Sequence, residues 1–193
     1  MIRSVQPLLS AVETALNTAD RVGGSWVVGI DGRCGAGKST LARAIYEHVP
    51  GSSVIAMDDF FLPAAMQTPE RLADGNAHWE RFLDEISAHL RTGEPFSYRR
   101  YDCAAGDYAA EPVAVPAGRL RVVEGSYALH PRLRTLYDWT VFCDADAETR
   151  RARLLAREGP EGLARFEERW IPLEEAYFTR YNVRQTANFI VTL

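Results

Sequence analysis

The sequence has almost no lysine: Lys38 is the single lysine among 22 basic side chains, and every other basic residue is arginine. The 26 acidic residues outnumber the basic ones and give a net charge of −4. A chain with this balance lacks the broad basic surface that general binding to nucleic acid requires, so we expect no nucleic-acid partner. A phosphate-rich ligand must instead meet positive charge that is concentrated locally.

Cysteines and long apolar runs are also scarce. The three cysteines, Cys34, Cys103 and Cys143, form no C-x-x-C pair and no zinc spacing, and an odd number suits a reducing cytosol better than a disulfide framework. No apolar run approaches the length of a membrane span, and the N-terminus lacks the continuous apolar stretch of a signal peptide. We therefore expect a cytoplasmic protein without a membrane partner.

The lone lysine stands in a segment that fits the phosphate-loop pattern G-x-x-x-x-G-K-S/T. In this pattern the glycines let backbone N–H groups close around phosphate oxygens, the lysine places a point charge on the outer phosphates, and the serine hydroxyl helps to hold magnesium. Arginine is a poor substitute there, because its planar fork is rigid. The predicted nucleotide-binding residues are Gly32, Gly35, Ala36, Gly37, Lys38, Ser39 and Thr40.

The surroundings of this segment support the motif. An apolar run over 26–31 predicts a buried strand before the loop, and Leu41, Ala44 and Ile45 have helical spacing after it. Strand, glycine loop and helix is the order that puts phosphates at a helix N-terminus. A glycine-rich turn that merely contains Lys-Ser is the alternative, and the surroundings argue against it.

The rest of the chain alternates between predicted strands and helices. At 193 residues it is expected to form a single domain, 1–193, with an N-terminal helix within 1–22. Alternation of this kind predicts a mainly parallel sheet of five strands between helical layers, an α/β three-layer αβα sandwich. The further strands are predicted at 53–57, 120–124, 139–143 and 188–192, and the further helices at 79–91, 146–158 and 161–181.

Carboxylates stand where the predicted strands end, at the edge of the sheet where such folds bind ligands. Asp58 is the candidate base for a phosphoryl acceptor, because it follows the strand after the first crossover. Glu124, together with Ser39, is the candidate magnesium site. Asp59 is expected to cap the helix that follows, and the same cap role is the alternative for Asp58. The alternative for Glu124 is a solvent-facing strand end. Asp31, an acidic residue beside the predicted anion site, receives no role from these patterns.

Two arginine-containing segments are candidates for contact with the substrates. Arg150, Arg153 and Arg157 are spaced three and four apart and share one helical face, which predicts a lid over 146–158 that clamps the transferred phosphoryl group, or else a solvated face. The stretch 96–118 has little periodicity and is read as a flap on the acceptor side. In it, Tyr98 and Tyr101 could bind the acceptor, or could simply pack the flap against itself.

Taken in order, these segments resemble the uridine kinase-like branch of P-loop kinases, which includes uridine/cytidine kinases and their relatives phosphoribulokinase and pantothenate kinase. The resemblance covers roughly residues 26–193. The matching segments are Gly29-Ile30-Asp31-Gly32 leading into the phosphate loop, Met57-Asp58-Asp59-Phe60-Phe61, Val123-Glu124-Gly125-Ser126-Tyr127, His130-Pro131, Val141-Phe142-Cys143-Asp144 with Arg150 and Arg153, and Asn188-Phe189-Ile190-Val191.

This resemblance implies a P-loop NTPase fold with a helical lid, ATP or GTP as phosphate donor and Mg²⁺ as cofactor. It makes Asp58 the base, with Lys38 and Arg153 as further catalytic residues. Arg150 is then expected near the acceptor or the phosphates. One segment departs from the pattern, because Cys103 and Gly106 stand where true uridine kinases carry an aromatic residue and a histidine that recognise the pyrimidine.

The first functional hypothesis is therefore an ATP-dependent small-molecule kinase that phosphorylates a hydroxyl of a nucleoside-like acceptor. The alternatives are a kinase for another sugar, vitamin or small metabolite, and a nucleotide-binding module without catalysis. A guanine-reading N-K-x-D segment is impossible, because the only lysine is Lys38. A homo-oligomer is compatible with the sequence.

Overall fold

A computed structural model describes residues 5–18 and 24–193 of the chain. The strands in these residues are β1 (Trp26–Gly32), β2 (Ser52–Ala56), β3 (Phe96–Tyr98), β4 (Tyr101–Asp102), β5 (Asp107–Tyr108), β6 (Val113–Val115), β7 (Leu120–Glu124), β8 (Trp139–Asp144) and β9 (Phe189–Thr192). The α-helices are α1 (Gln6–Asn17), α2 (Lys38–His48), α3 (Pro69–Asp74), α4 (Trp79–Ile86), α5 (Ala147–Arg165), α6 (Ile171–Tyr181) and α7 (Val183–Thr186).

The central sheet has five strands in the order β2-β7-β1-β8-β9, and every neighbouring pair is parallel. The register aligns Ile30 of β1 with Glu124 of β7 on one side and with Val141 of β8 on the other. The carboxyl ends of the strands therefore meet at one edge, as the alternation of elements predicts. The predicted five-stranded, mainly parallel sheet is confirmed, and it is parallel throughout.

Both faces of the sheet are buried, which makes the architecture three layers thick. Side chains of α1 and α2 pack on the face that carries Val28 and Ile30, whereas α4 and α6 pack on the face that carries Val27 and Phe142. Strands covered on both sides lose the alternation of apolar and polar residues and become continuous apolar runs. This burial explains why the strands are easy to recognise in the sequence, and it confirms the predicted αβα sandwich.

The N-terminal helix is present as α1, with Leu8, Leu9 and Val12 buried. The remainder of the predicted range 1–22, at 1–4 and 19–22, lies outside the described residues. None of the helices described is both long enough and apolar enough to cross a membrane.

The stretch over 96–118 is more regular than its sequence indicates. It forms two small antiparallel sheets, one pairing β3 with β6 and the other pairing β4 with β5 inside it. Strands of two or three residues are too short to show a period of two, so sequence reasoning could not find them. At the base of this double hairpin, the buried Arg121 donates from Nη1 to Ser53 Oγ at 2.8 Å and from Nη2 to the Glu94 carbonyl at 2.9 Å.

The C-terminal helices agree with the prediction in part. A helix begins at Ala147, with Asp146 capping it through the Thr149 N–H, and it breaks at Gly159, whose φ of 72° and ψ of 178° are not helical. The single helix expected over 161–181 is instead interrupted by a π-helical turn at Phe166–Trp170 before α6 begins. Pro172 lies in the first turn of α6 and lacks the N–H that a continuous α-helix needs there, which accounts for the interruption.

Candidate functional site

The phosphate loop connects β1 to α2, and glycine is required at both of its ends. A Cβ atom on Gly32 would lie 1.9 Å from the Cys143 carbonyl oxygen. Gly37 has a φ of 101° and caps α2 in the left-handed region, which other residues rarely adopt. The Lys38 ammonium donates to the Gly32 carbonyl at 2.6 Å and to the Arg33 carbonyl at 3.2 Å. The loop thus has the backbone shape of an anion cradle, with its lysine held across it.

Two consecutive glutamates of α6 hold the middle of this loop. Arg33 pairs with Glu175, donating from Nη2 to Oε2 at 2.9 Å, and also with Asp144 at 3.2 Å. The Cys34 N–H donates to Glu174 Oε2 at 3.0 Å. Sequence reasoning gave neither glutamate a role, although Glu174 belongs to a segment that also resembles uridine kinase-like proteins. The two glutamates lie 140 and 142 positions from their partners, and no local pattern marks such a contact.

Ser39 and Glu124 come together as predicted. Ser39 Oγ donates to Glu124 Oε1 at 3.0 Å, across the edge of the sheet. Burial raises the pKa of Glu124. Within 5–18 and 24–193 no cluster of three or more histidine, cysteine, aspartate or glutamate side chains could hold a metal ion. A hydroxyl beside one carboxylate nevertheless fits magnesium, which takes oxygen ligands and usually few of them from protein.

Asp58 and Asp59 follow β2 in a 3₁₀ turn, Met57–Phe60, and have different surroundings. Asp58 lines the larger of the two pockets at this edge, and burial raises the pKa of its carboxyl, opposed by the nearby Lys38 ammonium. Asp59 faces the flap instead, where its Oδ2 accepts a hydrogen bond of 2.7 Å from the Tyr98 hydroxyl. Neither side chain caps the turn, so the cap role predicted for Asp59 is wrong and the same alternative for Asp58 does not hold.

Two pockets meet on the phosphate loop. The larger has a volume of about 410 Å³ and the smaller about 190 Å³. Gly35, Lys38, Ser39 and Arg157 line both. Only the smaller is lined by Gly37, Thr40 and Arg153, and only the larger by Asp58, Phe61, Asn76, Cys103, Glu124, Glu158, Trp170 and Glu174, among others.

The three arginines of α5 that the sequence singles out, Arg150, Arg153 and Arg157, differ in their positions relative to the pockets. Arg153 Nη1 donates to the Gly35 carbonyl at 3.1 Å and lines the smaller pocket. Arg157 lines both pockets. Arg150 lines neither; its Nε donates to the Ala145 carbonyl at 3.2 Å, and its backbone lies directly against Gly35. The expected position of Arg150 near a substrate stays a prediction.

The flap meets the larger pocket through its tip and not through its tyrosines. Tyr98 and Tyr101 are buried and line neither pocket, and Tyr101 packs edge-on against Tyr108. Cys103, in the turn between β4 and β5, does line the larger pocket. Acceptor binding by the two tyrosines stays a prediction.

Asp31, to which no sequence pattern gives a role, is buried, and its carboxylate accepts four hydrogen bonds. Its Oδ1 accepts from the N–H groups of Gly32 at 2.7 Å and Tyr127 at 3.2 Å, and its Oδ2 accepts from the Leu129 N–H at 3.0 Å and the Tyr177 hydroxyl at 2.9 Å. Burial raises the pKa of Asp31 to about 6. The carboxyl joins the end of β1, the segment after β7 and α6.

Comparison with known proteins agrees with this geometry. No family model matches the chain. The uridine kinase of Staphylococcus epidermidis is 32% identical over 143 residues, which is 70% of this chain and 69% of that protein. The uridine kinase of Anoxybacillus flavithermus is 32% identical over 140 residues, which is 68% of this chain and 66% of that protein.

Solved structures show the same fold at lower identity. A Silicibacter protein described as a candidate fructose transport system kinase has a TM-score of 0.70 at 22% identity, covering 97% of this chain and 98% of its own. A Bacillus stearothermophilus protein described as a candidate uridine kinase has a TM-score of 0.70 at 19% identity, covering 97% and 96%. The D-glycerate 3-kinase of Cryptococcus neoformans has a TM-score of 0.66 at 16% identity, covering 89% and 87%.

The phosphate loop, the parallel sheet that presents it and the similarity to curated uridine kinases lead to one assignment. The protein is a small-molecule kinase, and its chain belongs to the uridine kinase-like branch of the P-loop kinases.

Proposed function

We propose that the protein is a cytoplasmic kinase that transfers the γ-phosphate of ATP to a hydroxyl group of a nucleoside-like small molecule, with magnesium as cofactor. Cys34, Cys103 and Cys143 are free thiols, which supports a reducing compartment. The curated relatives are uridine kinases, which supports an acceptor that resembles a nucleoside.

The observation that carries this proposal is the meeting of two pockets on one lysine. Lys38 and Ser39 line both, so that a donor in the smaller pocket and an acceptor in the larger would share the same charged boundary. Asp58 lines only the larger pocket, where a base for the acceptor hydroxyl is needed. Phosphoryl transfer depends mainly on such positioning and on electrostatic stabilisation.

Each side chain then has a distinct task. Asp58 orients the acceptor hydroxyl and accepts its proton. Lys38 and Arg153 stabilise the negative charge that develops on the transferred group, Lys38 as a point charge and Arg153 from the side of α5. Ser39 and Glu124 would hold magnesium, which supplies charge neutralisation on the phosphate oxygens when it is bound. The N–H groups from Gly35 to Thr40 cradle the phosphates.

A second acceptor class has specific support. Cys103 stands where uridine kinases, by the resemblance, carry an aromatic residue that recognises the pyrimidine, and it lines the larger pocket. Beyond it, Gly106 leaves open space where a histidine would stand, since nothing lies within 4 Å of a Cβ placed on it. These two positions favour an acceptor other than uridine, within the small-metabolite class.

The test is replacement of Asp58 by asparagine. Asp58→Asn should lower the rate of phosphoryl transfer by about 10²- to 10⁴-fold, because the variant cannot accept a proton, while ATP binding changes little. Transfer is measured as acceptor-dependent ADP release from magnesium–ATP, over a panel of nucleosides, pantothenate, glycerate, sugars and sugar phosphates.

Asp59→Asn is the matched control, because Asp59 bonds to Tyr98 and lines neither pocket. Turnover that survives in Asp58→Asn would remove Asp58 as the base. ATP binding without ADP release for any acceptor would favour a nucleotide-binding module.

A further inference from the structure

The larger pocket has an acidic wall. Four carboxyl groups line it against two basic groups: Asp58, Glu124, Glu158 and Glu174 against Lys38 and Arg157. Lys38 keeps its charge, but it donates to two carbonyls of the phosphate loop, and Arg157 donates from Nε to Glu158 Oε1 at 2.7 Å. Glu124 would be neutralised by magnesium, which leaves Asp58 and Glu174 as the carboxyl groups that an acceptor faces. An acceptor that carries a carboxylate or a phosphate would therefore face like charges, which disfavour its binding.

One polar side-chain atom of a residue that lines this pocket has no hydrogen-bond partner among the residues that the structure describes. Asn76 is 6% exposed, and its Oδ1 is buried without a hydrogen bond in the described part of the chain. A buried carbonyl oxygen that lacks a donor is costly, and native proteins rarely keep one without a reason. Because Asn76 lines the larger pocket, a rotation of its side-chain amide would bring Oδ1 within reach of a hydrogen-bond donor on the acceptor.

The backbone fixes Asn76 relative to the candidate base. Phe61 and Ala77 form an isolated antiparallel bridge, and the His78 N–H donates to the Phe60 carbonyl at 2.7 Å. Phe60 ends the turn that carries Asp58. The amide of Asn76 and the carboxyl of Asp58 thus come from two segments that are tied together, as a site that recognises one small molecule requires.

We propose that the acceptor is an uncharged molecule that donates a hydrogen bond, from a hydroxyl or an N–H group, to Oδ1 of Asn76. This inference rests on the proposed function, since it takes the larger pocket to be the acceptor site. It narrows the acceptor class, because it excludes carboxylates and phosphomonoesters, and it makes Asn76 a specificity-determining residue.

Matched acceptors test the charge. ADP release is compared within pairs that differ by an anionic group: a nucleoside and its 3′-phosphate, pantothenol and pantothenate, glycerol and glycerate. In any pair that is turned over, the uncharged member should have at least about tenfold higher kcat/KM. An anionic member that is used as well as its partner overturns the inference and leaves the kinase assignment intact.

A second measurement reads the charge of the pocket without turnover. Cys103 is exposed and lines the pocket, whereas Cys34 and Cys143 are buried. Cys103 is modified with two methanethiosulfonate reagents, one with a cationic trimethylammonium-ethyl group and one with an anionic sulfonatoethyl group. The two rates are compared with those of a free small thiol. Cys103→Ser gives the background.

The ratio of cationic to anionic rate at Cys103 should exceed that of the free thiol by about tenfold, and Glu158→Gln should reduce it. A ratio equal to that of the free thiol overturns the acidic wall, whether or not an acceptor has been found.

Asn76→Leu and Asn76→Asp test the hydrogen bond. Leucine removes the acceptor oxygen, so the KM for the phosphate acceptor should rise by about tenfold or more while the KM for ATP stays the same; aspartate keeps an oxygen and should retain acceptor binding. An unchanged KM in Asn76→Leu, or an equal loss in both variants, overturns the assignment.

The thermal stability of Asn76→Leu tests the role of Asn76 if no acceptor is found. Because Asn76→Leu removes an unpaired buried oxygen, its melting temperature should equal or exceed that of the native protein. A clear fall would show a structural role for Asn76 and overturn the inference.

Discussion

The phosphate loop and the flap both line the larger pocket, but backbone and side chains contribute differently to holding them. The ends of the loop take their shape from backbone, with a glycine at each end, a lysine that donates to two loop carbonyls and a helix that begins directly after it. Side chains, those of Glu174 and Glu175, hold only its middle. The flap takes its place from side chains that reach across to the turn bearing Asp58.

Arg81 shows how the flap is held. It is almost fully buried in α4, and its Nη2 donates to the Asp59 carbonyl at 2.9 Å and to the Arg99 carbonyl at 2.7 Å. Its guanidinium carbon also lies 4.2 Å from the centre of the Phe60 ring and 4.9 Å from that of Tyr108. One side chain therefore connects the flap to the turn, and Tyr98 adds a second connection. Because of these two connections, we expect flap residues to influence Asp58 without contacting a substrate.

The largest effect should come from breaking the loop side. Lys38→Ala should lower phosphoryl transfer by at least about 10²- to 10³-fold, because a charge aimed at the outer phosphates is lost. Lys38→Arg should not restore the native rate, since the planar fork does not fit a site built for a point charge. ATP affinity and single-turnover rate are measured together. Native values for both in Lys38→Ala would contradict the phosphate-loop assignment.

A smaller effect should distinguish a lid from a solvated helix face. Arg153→Ala should lower the transfer rate by about 10-fold or more and change ATP affinity less, because the charge acts on the transferred group. Arg151→Ala is the control from the same helix: Arg151 is exposed and pairs with Glu167 at 2.9 Å. Equal transfer rates for the two variants would show that this face of α5 is a solvated helix face and not a lid.

The smallest effect should come from the flap. Tyr98→Phe removes the hydrogen bond to Asp59, so the free energy of unfolding should fall by about 1–2 kcal/mol, and kcat should fall a few-fold with the acceptor KM unchanged. Tyr101→Phe serves as the comparison, because its ring packs on Tyr108. If both variants instead raise the acceptor KM, the tyrosines bind the acceptor directly, as the sequence predicts.

The same contrast explains what could be predicted. Strands buried on both faces and the segment from Gly32 to Ser39 carry their structure in adjacent residues, so the sheet and the loop follow from local patterns. The pairing of Ser39 with Glu124 spans 85 positions, but it could be predicted because ligands in such sheets bind at the carboxyl ends of the strands. The contacts of Glu174, Glu175 and Asp31 join positions far apart in the chain, and short strands such as β4 and β5 have no period. Asn76 gives no signal at all, because its importance lies in a missing partner that only the packed structure reveals.

The scarcity of lysine has a practical consequence for studying this protein. A reagent that acylates amines finds a single lysine side chain, Lys38, which is partly buried at the junction of the two pockets. Apart from the amino terminus, one peptide only would change in mass, and the extent of labelling of that peptide would measure how fully the phosphate site is filled. A protease that cleaves after lysine likewise has one bond to cut, between Lys38 and Ser39. Because this bond lies in the first turn of α2, its cleavage requires local unfolding, which a bound nucleotide should slow.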